Sequence, residues 1–157
     1  MLAVLLFASS PAALAADPPA PGTTNAPVAA AATVIHDAAA AEKLLGDHAL
    51  ALQWIGWEQL GKATVTVDAA GVYHLVGEQT GAGDSLRIDG TVRTIEPTTF
   101  TFDGTITTQV SYIAGGQPCT RSGPFTFAIK GRRHYWRLVE MNNPCEAVVD
   151  YVDVFLR

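Results

Sequence analysis

The sequence predicts an all-β fold: a single antiparallel up-and-down barrel of about eight strands, preceded by a short N-terminal helix. Three observations carry this. From His48 onward apolar residues recur at every second position, the period of a strand with one oily and one polar face. The runs are divided by turns containing Gly, Pro or Asn, such as Asp68-Ala69-Ala70-Gly71 and Gly81-Ala82-Gly83. No segment between them offers the long helical crossover that a parallel sheet needs. A chain of 157 residues suits one domain with a real core.

The elements follow in order. Residues 1–15 predict a signal peptide: an apolar run, MLAVLLFASSPAAL, ends in Ala13-Leu14-Ala15, a small-x-small site with cleavage before Ala16. No Lys or Arg precedes the run, which is too short to span a membrane. Residues 16–35 are rich in Pro and Ala without apolar periodicity, so a disordered tether is expected there. The barrel domain is assigned to residues 36–157. It opens with a helix that Asp37 can cap, that the following alanines favour and that Gly46 can end. Strand candidates are then marked by Leu50/Leu52/Trp54, Ala63/Val65/Val67, Val72/His74/Val76, Leu86/Ile88/Val92, a long run from Phe100 to Tyr112, Phe125/Phe127/Ile129, and residues 134–141 and 147–156.

Net charge of −5 argues against a nucleic-acid partner held through phosphates. Cys119 and Cys145 are the two cysteines, and in an exported chain such a pair predicts a disulfide. His36, His48, His74 and His134 share no ligand spacing, so no metal site is expected. No Gly-x-Ser-x-Gly elbow, phosphate loop or His-Glu-x-x-His helix occurs, and no cofactor and no catalytic residue is assigned.

One phrase is written twice: Leu86 to Val92 reads LRIDGTV and Phe100 to Ile106 reads FTFDGTI. A hairpin centred on Pro97 sets Gly90 opposite Gly104, Asp89 opposite Thr105 and Thr91 opposite Asp103. The paired glycines predict a bend where the sheet curls, with the Asp/Thr pairs hydrogen-bonded outside. Asp89 and Asp103 alone make a thin ligand set for calcium.

The candidate binding residues are Trp54, Tyr135, Arg137, Tyr151 and Asp153. Centring the last hairpin on Pro144 makes Arg137 face Tyr151 and Tyr135 face Asp153, with Arg137 and Asp153 on a diagonal. Pointed inward, that face would be an anion clamp. The opposite face carries Trp136, Leu138, Val148, Val152 and Val154, which favours the Arg/Tyr face lying outside as ion pairs and aromatic cover. Glu140 and Asp150 would be partly exposed at the barrel mouth, and Arg121 would add positive charge at one rim.

The short helix, the meander of eight strands, the early Trp54 and the cysteine pair resemble the calycins, the superfamily of lipocalins and fatty-acid-binding proteins, over residues 44–157. The lipocalin Gly-x-Trp hallmark is replaced here by Gln53-Trp54-Ile55-Gly56-Trp57, while Arg133-His134-Tyr135 has the Arg-x-Tyr spacing of the fatty-acid-binding proteins. The stretch from Tyr135 to Met141, with Asn143-Pro144-Cys145, also resembles small exported bacterial proteins of unknown function. The leader and the cysteine pair predict an exported, periplasmic or secreted protein, and the calycin resemblance implies a non-enzymatic barrel that binds a small apolar or amphipathic ligand in its interior. The alternatives are a filled-core envelope interaction or inhibitor domain working through its surface, or an enzyme whose residues converge only in three dimensions. Trp54, Phe100, Phe102, Phe125 and Phe127 could nearly fill a barrel of this size, so the volume of an apolar cavity is what separates the first two readings.

Overall fold

Residues 31–156 are described by a computed structural model. The expected signal peptide and residues 16–30 of the expected tether lie outside them. The last residues of that tether belong to the fold. Thr33 is buried, with its hydroxyl donating to the Val92 carbonyl at 2.7 Å and accepting from the Tyr73 N–H at 2.9 Å. It leads into a two-residue strand, β1 (Val34–Ile35), which runs parallel to a later strand. The Ala/Pro bias hid this, because one hydroxyl rather than an apolar run anchors the segment.

Helix α1 (Ala38–Leu44) follows as expected. The Asp37 carboxylate accepts from the Ala40 N–H at 2.6 Å, and Gly46 takes up a φ of 97° just past the end. Then come β2 (Gly46–Leu52), β3 (Gly61–Val67), β4 (Tyr73–Gly81), β5 (Asp84–Ile95) and β6 (Thr99–Gln109). After a short 3-10 turn at Ala114–Gly116 the chain forms β7 (Cys119–Ala128), β8 (Tyr135–Leu138) and β9 (Val152–Phe155).

Strands β2 to β9 pair antiparallel, each with the next, and β9 returns to β2, so eight strands close into an up-and-down barrel. β1 pairs with Thr94 and Ile95, on the side of β5 that β4 has left after Val92. Closure leaves no long unpaired edge.

The expected bend is present. Gly90 stands opposite Gly104, Asp89 opposite Thr105 and Thr91 opposite Asp103. A Cβ on Gly104 would lie 2.2 Å from the Asp89 carbonyl oxygen and 2.6 Å from the Phe102 ring, so the ring occupies the space that the glycines vacate. The line continues to Gly123 on β7, which the sequence reading did not single out. The outer hydrogen bonding differs from expectation. Arg93 is the extra residue of a bulge between Val92 and Thr94, and its Nε and Nη2 donate to Asp103 Oδ2 at 3.2 and 2.7 Å, in place of the expected Thr91 partner.

The interior is filled. Phe100, Phe102, Phe127, Leu50, Leu75, Leu86, Ile88 and Ile106 are all at most 1% exposed. Phe100 stacks on Phe127 with centroids 4.9 Å apart, and Trp136 meets Phe100 edge-on. Ala40, Ala41 and Leu44 of α1 join this core and close one end. His48 fastens that end: its ring nitrogens lie 2.8 Å from the carbonyl oxygens of Leu44 and Phe155.

Candidate functional site

The last two strands decide where the candidate residues go. Arg137 pairs directly with Asp153, and Tyr135 with Phe155, so the register is offset by two residues from the one expected around Pro144. The expected long hairpin is also shorter, because residues 139–151 leave the ladder except for a single bridge between Asn142 and Val149. The cause is polar. Asn143 Oδ1 accepts from the N–H groups of Cys145 and Glu146 and turns the chain there, later than Pro144 alone would. An even offset keeps every side chain on its face. Trp136, Leu138, Val152 and Val154 accordingly point into the core, and the Arg/Tyr face lies outside.

On that outer face four of the candidate residues meet. Arg137 Nε donates to Asp153 Oδ1 at 2.7 Å and Nη2 to Oδ2 at 2.6 Å, a bidentate pair. The guanidinium lies 4.3 Å from the Tyr151 ring centroid and 5.1 Å from that of Tyr135, and the Arg133 guanidinium lies 5.7 Å from the Tyr135 centroid. Hydrogen bonding to Asp153 raises the Arg137 pKa above its ordinary value, against the effect of burial. Asp153 is fully buried although it faces outward, and so is Ala51 opposite it on β2. The neighbouring outer positions are aromatic, with Phe155 in edge contact with Trp57 and tilted against Tyr135.

Beside this stack is a groove of about 180 Å³. Its floor is Ala128, Leu138, Val139 and Met141, and its rim is Lys130, Arg133, Arg137 and Tyr151. Arg137 is taken up by Asp153. Lys130, Arg132 and Arg133, all in the turn between β7 and β8, have no carboxylate partner among the described residues, whereas Lys62, Arg87, Arg93, Arg121 and Arg137 each have one.

Trp54 is not part of this group. It lies at the barrel end opposite α1, where its Nε1 donates to Asp150 Oδ1 at 3.0 Å and Tyr112 packs on it edge-on. Asp150 is 1% exposed rather than partly exposed as expected. The reason is Arg121, which donates from Nη2 to Asp150 Oδ2 at 3.2 Å and from Nη1 to the Glu140 and Asn142 carbonyls, both at 2.9 Å. Asn143 Nδ2 completes the set on Asp150 Oδ2. Burial lowers the Arg121 pKa from its ordinary value, opposed by the charges of Asp150 and Glu140. Glu140 is exposed and accepts from the Thr126 N–H at 2.7 Å. The pair Glu140/Asp150 is therefore divided between two structural tasks, and Arg121 is a staple rather than a rim charge.

Cys119 and Cys145 are bridged, with S–S 2.06 Å, beside the same cluster. Gln79, which the sequence reading passed over, holds the loop after β2: its Oε1 accepts from the Leu52 N–H, and its Nε2 donates to the Gly56 and Gln59 carbonyls. Its signal was a polar residue at an inward position of an alternating strand. Among the described residues no group of three or more His, Cys, Asp or Glu is placed to hold a metal, and no helix is long and apolar enough to cross a membrane.

The family model described as the PM1083 family matches residues 32–156. Uncharacterized protein PM1083 of Pasteurella multocida (strain Pm70) is 42% identical over 113 residues, covering 72% of this chain and 73% of that protein. No solved structure matches the chain. The matched span begins just before β1 and ends with β9, so it takes in the whole barrel, and the chain belongs to the PM1083 family.

Proposed function

We propose that the protein is an exported, non-enzymatic binding module that works from the outside of its barrel. The ligand or partner would present an anionic group to the groove between Lys130, Arg133 and Tyr151. The observation that carries this reading is a groove with an apolar floor, rimmed by two cations without carboxylate partners in a chain of net charge −5. The filled interior supports it from the other side, because a ligand held among Phe100, Phe102 and Phe127 would have to displace core. Export is supported by the apolar leader in the sequence and by the disulfide, which persists in oxidising compartments. Arg137 and Tyr151 line the site, with Asp153 and Tyr135 holding the Arg137 guanidinium in place beside it, while Trp54 is reassigned to closing the far end.

Native mass spectrometry of the protein purified from an oxidising compartment tests the reading, together with a Lys130→Glu/Arg133→Glu variant. The expected result is a bound mass that the variant loses while its thermal midpoint holds. The same spectra for both proteins, with no amide shifts at the groove on titration with inorganic phosphate, overturn it. Cell fractionation with and without residues 1–15 tests export separately.

A further inference from the structure

A second concavity lies on the other side of the same turn, at the end of the barrel that α1 covers. It measures about 530 Å³, within the roughly 300–1,000 Å³ of small-molecule sites. Pro97, Ile129, Trp136 and Leu156 supply apolar walls from four separate segments.

Those walls are fixed from behind. The Ile129 N–H donates to the Thr98 carbonyl at 2.8 Å, tying the β7–β8 turn to the β5–β6 turn. The Leu156 N–H donates to the His134 carbonyl at 2.9 Å. Trp136 is held edge-on against both Phe100 and His48. An apolar body entering here meets surfaces already in position, which lowers the ordering cost of binding.

The charged groups that line the cleft are of both signs, and they differ in what already engages them. Glu42, Lys43 and His134 line the cleft. Lys43 has no carboxylate partner among the described residues, and neither have Lys130, Arg132 and Arg133 of the adjoining turn. Of the nearby carboxylates, Asp37 is engaged in capping α1 and Glu96 lies 3.6 Å from His36. Glu42 also has an interaction of its own. The unpaired cations of the described chain are thus gathered at one end of the barrel.

We infer that this cleft binds an amphipathic anion, its apolar body against Ile129, Trp136 and Leu156 and its charged head on Lys43. The inference stands apart from the outer groove, with which the cleft shares no lining residue.

Backbone and indole NMR spectra of the protein titrated with decanoate, and in parallel with decanol, test it. Saturable shifts at Lys43, Ile129 and the Trp136 indole are expected. Decanoate should bind more tightly than decanol, and Lys43→Gln should weaken decanoate about tenfold while leaving decanol unchanged, as loss of one charge-assisted hydrogen bond implies. Equal affinity for the two probes, or an unaffected Lys43→Gln variant, overturns the assignment of the head. Shifts confined to Lys130, Arg133 and Tyr151 overturn the cleft and leave the outer groove standing. Shifts at neither place, with phosphate also silent at the groove, overturn both.

Discussion

At the scale of single residues the molecule is decided by what is missing as much as by what is present. Gly90 and Gly104 lack a side chain because two strands and the Phe102 ring already fill the space. Replacing Gly104 by Val should cost about 2–4 kcal/mol in urea denaturation, through overpacking against backbone that cannot retreat. Gly123→Ala is the useful contrast. Nothing lies within 4 Å of its Cβ position, so only its φ of +132° opposes the change, and a loss of about 1–2 kcal/mol is expected. A neutral Gly104→Val would remove the bend as an explanation. Asp153 shows the opposite case, a carboxylate with no exposed surface whose charge is answered by one guanidinium. Breaking such a pair leaves a buried charge alone, so Arg137 belongs to the architecture of the site wall rather than to ligand capture.

At the scale of elements, the segment 139–151 is the one held chiefly by side chains. Its one internal bridge joins Asn142 to Val149, while the Val139 N–H on the Thr126 carbonyl, the Asp150 cluster and the disulfide keep it against β7. Changing Cys119 and Cys145 together to Ser should therefore lower stability by about 3–4 kcal/mol. Amide exchange should accelerate first at residues 139–150, with β4, β5 and β6 unaffected. Uniform acceleration across all strands would show that the bridge supports the barrel as a whole. This is also where sequence reading reached its limit. The meander, the helix cap, the Gly90–Gly104 register and the face carried by Arg137 were legible, since each follows from period, turn chemistry or an even offset in pairing. The turn around Asn143, the burial of Asp150 and the anchor at Thr33 were not. The last two depend on hydrogen bonds between residues far apart in sequence, Arg121 with Asp150 and Thr33 with Val92, for which composition and spacing carry no signal; the first is a local turn whose centre is set by the Asn143 side chain rather than by Pro144.

At the scale of the whole molecule, acid stability has a definite sign. Hydrogen bonding from His74, with the Val72 and Ala70 N–H groups, holds the Asp68 carboxyl below its ordinary 3.8, and Lys62 with Thr64 does the same for Asp47. A carboxyl whose pKa is depressed by folding stabilises the native state above its unfolded value, and that contribution is lost as pH falls through the folded one. Stability should therefore decline below about pH 4, with a shallower decline in Asp68→Asn; an identical acid limb in the variant would locate the sensitivity elsewhere. The closing of β9 onto β2 has a further consequence, for where the chain could be cut. Of the eight ladders among strands β2 to β9, seven join strands next to each other in sequence, and the β2–β9 ladder alone joins distant ones. The barrel is in effect a ring whose order of synthesis is a convention. His48 reaching the Phe155 carbonyl puts the two ends of that ring within one hydrogen bond of each other. A gene that carried β1 and α1 between the end of β9 and the start of β2, and opened instead at Ala82-Gly83, an exposed turn, would encode the same succession of neighbours from a different starting point.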